Sequence, residues 1–250
     1  MTAARRFEGR VALITGAGSG IGRAVALRLA DEGASVFAVD VNADGLAATE
    51  EQTTGTITTR QADLGDEGVC DQLVDECVAG FGSLHVLGNV AGIYLAGHAP
   101  ETTREDYRRI MAVNLDAPFF LAQSAIPHLL QTGGNIVNVA SNSGIQGVPY
   151  SAAYAMTKGG LIQLTRALAV EYIKTPLRVN AVAPAGTNTN IATSATFPAD
   201  MDLDLATRMA GYRGMAEPAD IAAVFAFLAS DEARAVTGAV YTADNGITVS

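Results

Sequence analysis

Short runs of β-branched and apolar residues recur along the chain, and longer stretches with helical spacing fill the gaps between them. That alternation predicts an α/β fold with a parallel sheet wrapped by helices, because parallel neighbours need a crossover and a helix supplies it. Strand candidates fall at residues 11–15, 35–39, 56–60, 84–88, 135–139, 177–181 and 239–242, seven in all. Helical spacing covers roughly 20–32, 44–53, 66–81, 102–131 with a break near Pro118, 151–173 and 217–229. No repeat, low-complexity tract or Ser/Gly/Pro-rich linker interrupts the rhythm, so residues 1–250 read as one domain. The stretch 185–216 departs from it, with weak strand signals and with Phe197, Met201, Met209, Tyr212 and Met215 set among Thr and Asn. Long excursions in compact domains are usually lids or binding loops, so this one is expected to cover a substrate while Asp200, Asp202 and Asp204 face solvent. A subunit contact is the competing reading.

A parallel sheet needs apolar cover on both faces, and a chain of 250 residues that is 49% hydrophobic and 17% charged provides it. The net charge is −10, with no basic cluster beyond Arg5-Arg6 and Arg108-Arg109, so nucleic acid is not an expected partner. No apolar run reaches membrane length, and the run after Arg5-Arg6 breaks at Gly16 with no cleavage-like site, which predicts a cytoplasmic protein that does not engage a membrane. Cys70 and Cys77 stand seven residues apart in a helical stretch, too far to bridge, and read as core. His85, His98 and His128 have no metal-ligand spacing, so no metal site is expected.

Directly after the first strand candidate comes Thr15-Gly16-Ala17-Gly18-Ser19-Gly20-Ile21-Gly22, and helical spacing begins at once. Glycines let a backbone turn sharply and approach a pyrophosphate, whose charge then sits at the helix N-terminus. The spacing Gly16-x3-Gly20-x-Gly22 differs from the common G-x-G-x-x-G pattern, and many glycine-rich turns bind nothing. Eighteen residues beyond Gly22 the second strand ends at Asp40, where a carboxylate can accept from an adenosine ribose hydroxyl. That anion would repel a 2′-phosphate, and neither Ser19 nor Val41-Asn42 supplies a cation to offset it, so NAD is favoured over NADP. The plainer reading of Asp40 is a strand-end turn residue.

In Ser151-Ala-Ala-Tyr154-Ala-Met-Thr-Lys158, Ser151 is a plausible N-cap, and Tyr154 and Lys158 share one helix face a turn apart. A phenol with a pKa of about 10 is a poor base at neutral pH, and lowering it to about 8 takes about 3 kcal/mol, within reach of a partly desolvated ammonium and an oxidised nicotinamide. A surface Tyr/Lys pair is the alternative.

Together these residues resemble the short-chain dehydrogenase/reductase family over almost the whole chain. The resemblance rests on the glycine turn, Asn89-Val90-Ala91-Gly92, Asn114, Ser141 thirteen residues before Tyr154, and Lys158. It implies a Rossmann-like, doubly wound, seven-stranded and mainly parallel sheet. The implied activity is hydride transfer between a nicotinamide cofactor and a secondary alcohol or ketone, with Gly16, Ser19, Gly20 and Ile21 at the pyrophosphate.

Carried over by position, Tyr154 is the general acid/base, Ser141 hydrogen-bonds the same substrate oxygen, and Lys158 both lowers the Tyr154 pKa and holds the nicotinamide ribose. Ser143 is a rival for Ser141. Asn114 resembles the family asparagine of a proton relay, and it also suits a helix irregularity where it satisfies backbone groups. Asp63-Leu64 resemble the pair at the adenine, Asn89, Ala91 and Gly92 the turn after the fourth strand, and Pro184, Thr187 and Thr189 the nicotinamide contacts. Val90 stands where the family has asparagine, Asn245 where it has glycine, and Ala185 where it has a glycine whose backbone angles alanine would close unless Gly186 absorbs them. His98 and Tyr94 either line the substrate mouth or sit in a solvated loop. The helices at 102–131 and 151–173 resemble the family's interface helices, which implies a dimer or homotetramer. Two other functions stay open: an NADPH-dependent 3-oxoacyl-thioester reductase, and a non-catalytic nucleotide-binding sensor.

Overall fold

The computed structural model describes residues 5–190, 197–207 and 213–249. Its sheet is built from β1 (Val11–Thr15), β2 (Ser35–Asp40), β3 (Thr56–Gln61), β4 (Val86–Asn89), β5 (Asn135–Val139), β6 (Arg178–Pro184) and β7 (Val240–Ala243). The strand order is β3-β2-β1-β4-β5-β6-β7, and each neighbouring pair is parallel. This is the Rossmann-like sheet that the resemblance implies. Because β1 lies between β2 and β4, crossovers leave in opposite directions from the middle of the sheet, and a crevice opens at the carboxyl ends there.

Burial on both faces explains the uninterrupted apolar strands. Helices α1 (Gly20–Asp31) and α8 (Pro218–Ala229) cover one face, where Val25, Leu29 and Phe225 pack on Ile14 and Ala38. A Cβ at Gly88 would lie 2.6 Å from Ile14 Cδ1 and 2.8 Å from Phe225 Cζ, so a glycine in mid-strand is what admits that ring. The other face is covered by α3 (Val69–Phe81) and α5 (Ala117–Thr132), with Leu73, Leu121 and Leu129 against Leu13 and Leu87. Cys70 and Cys77 lie in this core, unpaired, and burial pushes their thiols up to about 11 and about 12.

Some elements differ from the sequence reading. The third helix starts at Val69 rather than 66, because Gly68 turns the chain through a left-handed φ of 74° first. The second helix, α2, runs Ala43–Glu50, and β6 extends three residues past 181 into Pro184. The expected break near Pro118 is a change of pitch: α4 (Arg104–Met111) passes through a π turn at Ala112–Asp116 directly into α5. Proline has no N–H for the carbonyl four residues back, here that of Asn114, so this carbonyl lacks its α-helical partner at this point. Ser151 precedes α6 (Ala152–Glu171) as expected, but its hydroxyl donates to the Val148 carbonyl and caps nothing.

The excursion at 185–216 is closed at its neck by a parallel bridge between Thr187 and Ala216, with the amide of Ala216 donating to Gly186 O and that of Asn188 to Ala216 O (both 2.9 Å). It contains a short helix, α7 (Leu203–Thr207). Asp200, Asp202 and Asp204 are exposed, as expected. Met209 and Tyr212 lie outside the described residues.

One hydroxyl joins the two strand ends that flank the crevice. Thr15 Oγ1, at the head of the glycine-turn motif, accepts from the amides of Val90 (3.0 Å) and Ala91 (3.1 Å) and donates to Gly88 O (3.3 Å). Thr15→Val keeps the shape but leaves two amides without an acceptor, so the unfolding free energy should fall by about 1–3 kcal/mol in denaturant titrations. An unchanged midpoint would mean that other groups hold the β1 and β4 ends together.

Candidate active site

Two adjoining cavities, of about 220 and 250 Å³, form one trough over the carboxyl ends of the strands and share Ile21, Val90, Gly92 and Thr189. The first lies over the glycine turn. Gly16 and Gly20 have φ of 70° and 51°, and a Cβ on Gly16 would lie 2.8 Å from Ala91 Cα. On Gly22 it would lie 2.0 Å from the Gly16 carbonyl oxygen, so the turn closes only because these positions have no side chain. The first turn of α1 contains no acidic residue and Ser19 makes no side-chain cap, so its amides are left to the trough, an arrangement suited to an anionic phosphate.

Asp40 borders the same cavity, and its carboxylate accepts from the amides of Gly18 (2.9 Å) and Asn42 (2.9 Å). It is thus both the strand-end turn residue and an anion facing the trough. Gly18 permits this, since a Cβ there would meet Asp40 Cγ at 2.8 Å. Arg23, which sequence reasoning missed, donates to the carbonyls of Gly18 and Gly45 and to Thr49 Oγ1, tying the glycine turn to α2. Asp63 and Leu64 reach the trough as expected, and Asp63 meets Arg109, another missed residue. Ala91 and Gly92 line it too. Asn89 is a correction: it is the last residue of β4, 2% exposed, with its amide donating to Asn138 Oδ1 (2.8 Å), and it does not line the trough, because strand alternation turns it into the core.

The second cavity holds the catalytic candidates. Tyr154 and Lys158 enter from α6, and Ser141 from the turn after β5. Ser141, rather than Ser143, acts on the titration of the Tyr154 phenol, and its Oγ accepts from the Ser143 amide (3.1 Å) and donates to Asn142 Oδ1 (3.2 Å). Lys158 is 3% exposed; its Nζ donates to Val139 O (2.8 Å) and lies 5.8 Å from the Tyr154 ring centroid.

Burial dominates both titrations. It pushes Tyr154 up to about 12, against the Ser141 hydrogen bond and with help from the nearby Tyr94, and it brings Lys158 down to about 8. The Lys158 ammonium is itself desolvated and is bonded to a carbonyl.

Asn114, fully buried at the π turn, accepts from the Ile93 amide (2.8 Å) and donates to the Ile93 carbonyl (2.8 Å) and Thr157 Oγ1 (3.3 Å). Its side chain therefore fastens the segment after Gly92 to α6. Pro184, Thr187 and Thr189 line the trough where it passes β6. Neither Ala185 nor Gly186 has a positive φ, so alanine at 185 carries no backbone strain and its methyl group becomes part of the wall. Tyr94 stands edge-on to Tyr154 (centroids 4.8 Å apart) and packs against Phe197 (6.1 Å), an aromatic side to the cavity. His98 is not at the mouth; it pairs with Asp200 (3.1 Å) and sits against Tyr150. Among the described residues no group of His, Cys, Asp and Glu could hold a metal ion.

The enoyl-(acyl carrier protein) reductase model of the short-chain alcohol dehydrogenase type matches residues 16–248. Meso-2,3-butanediol dehydrogenase of Serratia marcescens is 38% identical over 98% of this chain and 97% of its own. Among solved structures, 3-ketoacyl-(acyl-carrier-protein) reductase from Brucella melitensis, complexed with NADH, superposes with a TM-score of 0.89 at 31% identity, covering 97% of this chain and all of that one. A putative NAD(P)-dependent gluconate 5-dehydrogenase from Beutenbergia cavernae, with NADP at low occupancy, gives 0.88 at 34% identity over 99% of this chain and 100% of its own. Likeness of this extent, on a chain whose trough brings a glycine turn to a Ser-Tyr-Lys set, means that the protein belongs to the short-chain dehydrogenase/reductase family, oxidoreductases that act on CH–OH groups with a nicotinamide dinucleotide.

Proposed function

We propose that the protein interconverts a small secondary alcohol and its ketone with NAD(H), using Tyr154 as acid/base. The observation that carries this reading is the cavity that gathers Ser141, Tyr154 and Lys158 next to the glycine turn. Bound nicotinamide supplies the hydride donor or acceptor. In reduction Tyr154 gives its proton to the carbonyl oxygen while Ser141 donates a hydrogen bond to the same atom; in oxidation Tyr154 takes the hydroxyl proton. Lys158 holds the ribose and, with its charge turned toward the phenolate, eases its formation. Asn114 holds the Ile93 segment in place and takes part in the proton path past Lys158. Gly16, Ser19, Gly20 and Ile21 receive the pyrophosphate, Asp63 and Leu64 the adenine, Ala91 and Gly92 the ribose, and Pro184, Thr187 and Thr189 the carboxamide.

The Asp40 carboxylate at the adenosine end supports NAD over NADP, since a 2′-phosphate would meet an anion that neither Ser19 nor Val41-Asn42 offsets with a cation. A second reading, reduction of 3-oxoacyl thioesters, is favoured by the Brucella relative, whose NADH complex removes cofactor choice as a way to separate the two. The net charge of −10 counts against it, because an acidic carrier protein seeks a basic surface. Exposed Phe119 and Phe120 on α5, and Met156 and Val170 on α6, support the dimer or homotetramer. Two buried, unpaired thiols, and the lack among the described residues of any helix long and apolar enough to cross a membrane, fit a cytoplasmic setting.

Tyr154→Phe should lower kcat by about 10³-fold or more with NADH affinity nearly unchanged; retention of most of the rate would remove Tyr154 from its role. NADH should bind at least about tenfold tighter than NADPH in fluorescence titrations, a difference of about 1.4 kcal/mol that Asp40→Ala should erase. Equal wild-type affinities would defeat the Asp40 argument. Because burial holds Tyr154 protonated, kcat/KM for alcohol oxidation should climb with pH through the neutral range as the phenolate fraction grows. Ketone reduction, which needs the phenol, should stay flat over the same range; parallel profiles would exclude a shared tyrosine.

A further inference from the structure

Arg109 meets Asp63 at the adenosine end of the trough in a two-pronged ion pair, Nη1 to Oδ1 and Nη2 to Oδ2, both 2.8 Å. The Gly65 amide also donates to Oδ1 (2.8 Å). An ionised carboxylate offers about four acceptor positions, two on each oxygen. Oδ1 has both taken and Oδ2 has one left.

We propose that Arg109 is a positioning residue that locks the Asp63 carboxylate so that the free Oδ2 position reads the exocyclic amine of the cofactor's base, selecting adenine over a base with an oxygen there. This rests on the nucleotide-binding reading given above. The last torsion of an aspartate is broad and roughly two-fold, so an unclamped carboxylate would present either oxygen at varied angles. A guanidinium fork removes that freedom, which a lysine's single charge cannot do.

The surroundings are built for the clamp. A Cβ on Gly65 would lie 2.2 Å from Arg109 Nη1, so glycine alone lets the fork lie there. Arg109 stands on α4, which runs through the π turn to Asn114, so the adenine end and the catalytic end share one support. Asp63, Leu64 and Arg109 all border the trough. The guanidinium also holds Asp63 below the usual carboxylate range, which keeps it an acceptor. With side chains 44% and 31% exposed, the pair adds little to stability, so positioning is the role left to it.

The test compares equilibrium binding of NADH with that of its hypoxanthine analogue, in which oxygen replaces the exocyclic amine, by nicotinamide fluorescence. Wild-type protein should prefer NADH by about tenfold, the worth of about one hydrogen bond to a charged acceptor. Arg109→Gln should reduce that preference to about threefold or less through lost NADH affinity alone, and Arg109→Lys should fall between. The melting temperature should stay near wild type. Equal weakening of both dinucleotides by Arg109→Gln would make Arg109 a structural residue and overturn the proposal, as would a wild type indifferent to the base. Selective loss of NADPH binding would make Arg109 a phosphate counter-ion and overturn it too. If wild type binds neither dinucleotide, the nucleotide-dependent function falls and this proposal with it, an outcome distinct from the other three.

Discussion

The reversal of strand order at β1 and β4 is the constraint on which the rest of the molecule depends. It sends successive crossovers to opposite sides and leaves the carboxyl ends of the central strands uncovered. Four of the segments proposed to act approach from the rim of that opening: the glycine turn from β1, Gly92 from beyond β4, Ser141 from beyond β5 and Thr187 from beyond β6. The rim is held by small polar bonds rather than by bulk. Thr15 ties β1 to the β4 turn, and Asn114 ties Ile93, just past that turn, to the helices behind.

The same opening sets conflicting electrostatic demands. Exclusion of water is what lets fixed donors act strongly on a reacting oxygen, yet it disfavours the charged forms of Tyr154 and Lys158 alike. A charge arriving in the trough next to them would change that balance, so the phenol's acidity belongs to the filled site rather than to the pair.

Much of the fold was legible because parallel strands and crossover helices differ in period, and the seven strands lie within a few residues of where alternation places them. The glycine turn was legible because few other residues tolerate such close backbone approach. Asn89 was misplaced because a motif reports neighbours in sequence and not the face of a strand. Ser19 and Ser151 sit where caps belong, yet neither side chain caps its helix, since the trough and the Val148 carbonyl offer the local geometry something else. The break expected near Pro118 is a π turn because α4 and α5 pack as one rod, and a missing N–H can be absorbed by a wider turn.

By itself, then, the sequence determined the layer order of the fold, the phosphate-facing turn and the one-turn spacing of Tyr154 and Lys158, since each follows from local periodicity or from backbone freedom. Only the tertiary structure decided that Arg109 grips Asp63 across 46 residues, that Asn114 spends its amide on Ile93, that alanine at 185 is unstrained, and that burial governs the acid/base pair. Those outcomes depend on which oxygen points where and on how much water is left, and both are set by the packing of elements distant in the chain.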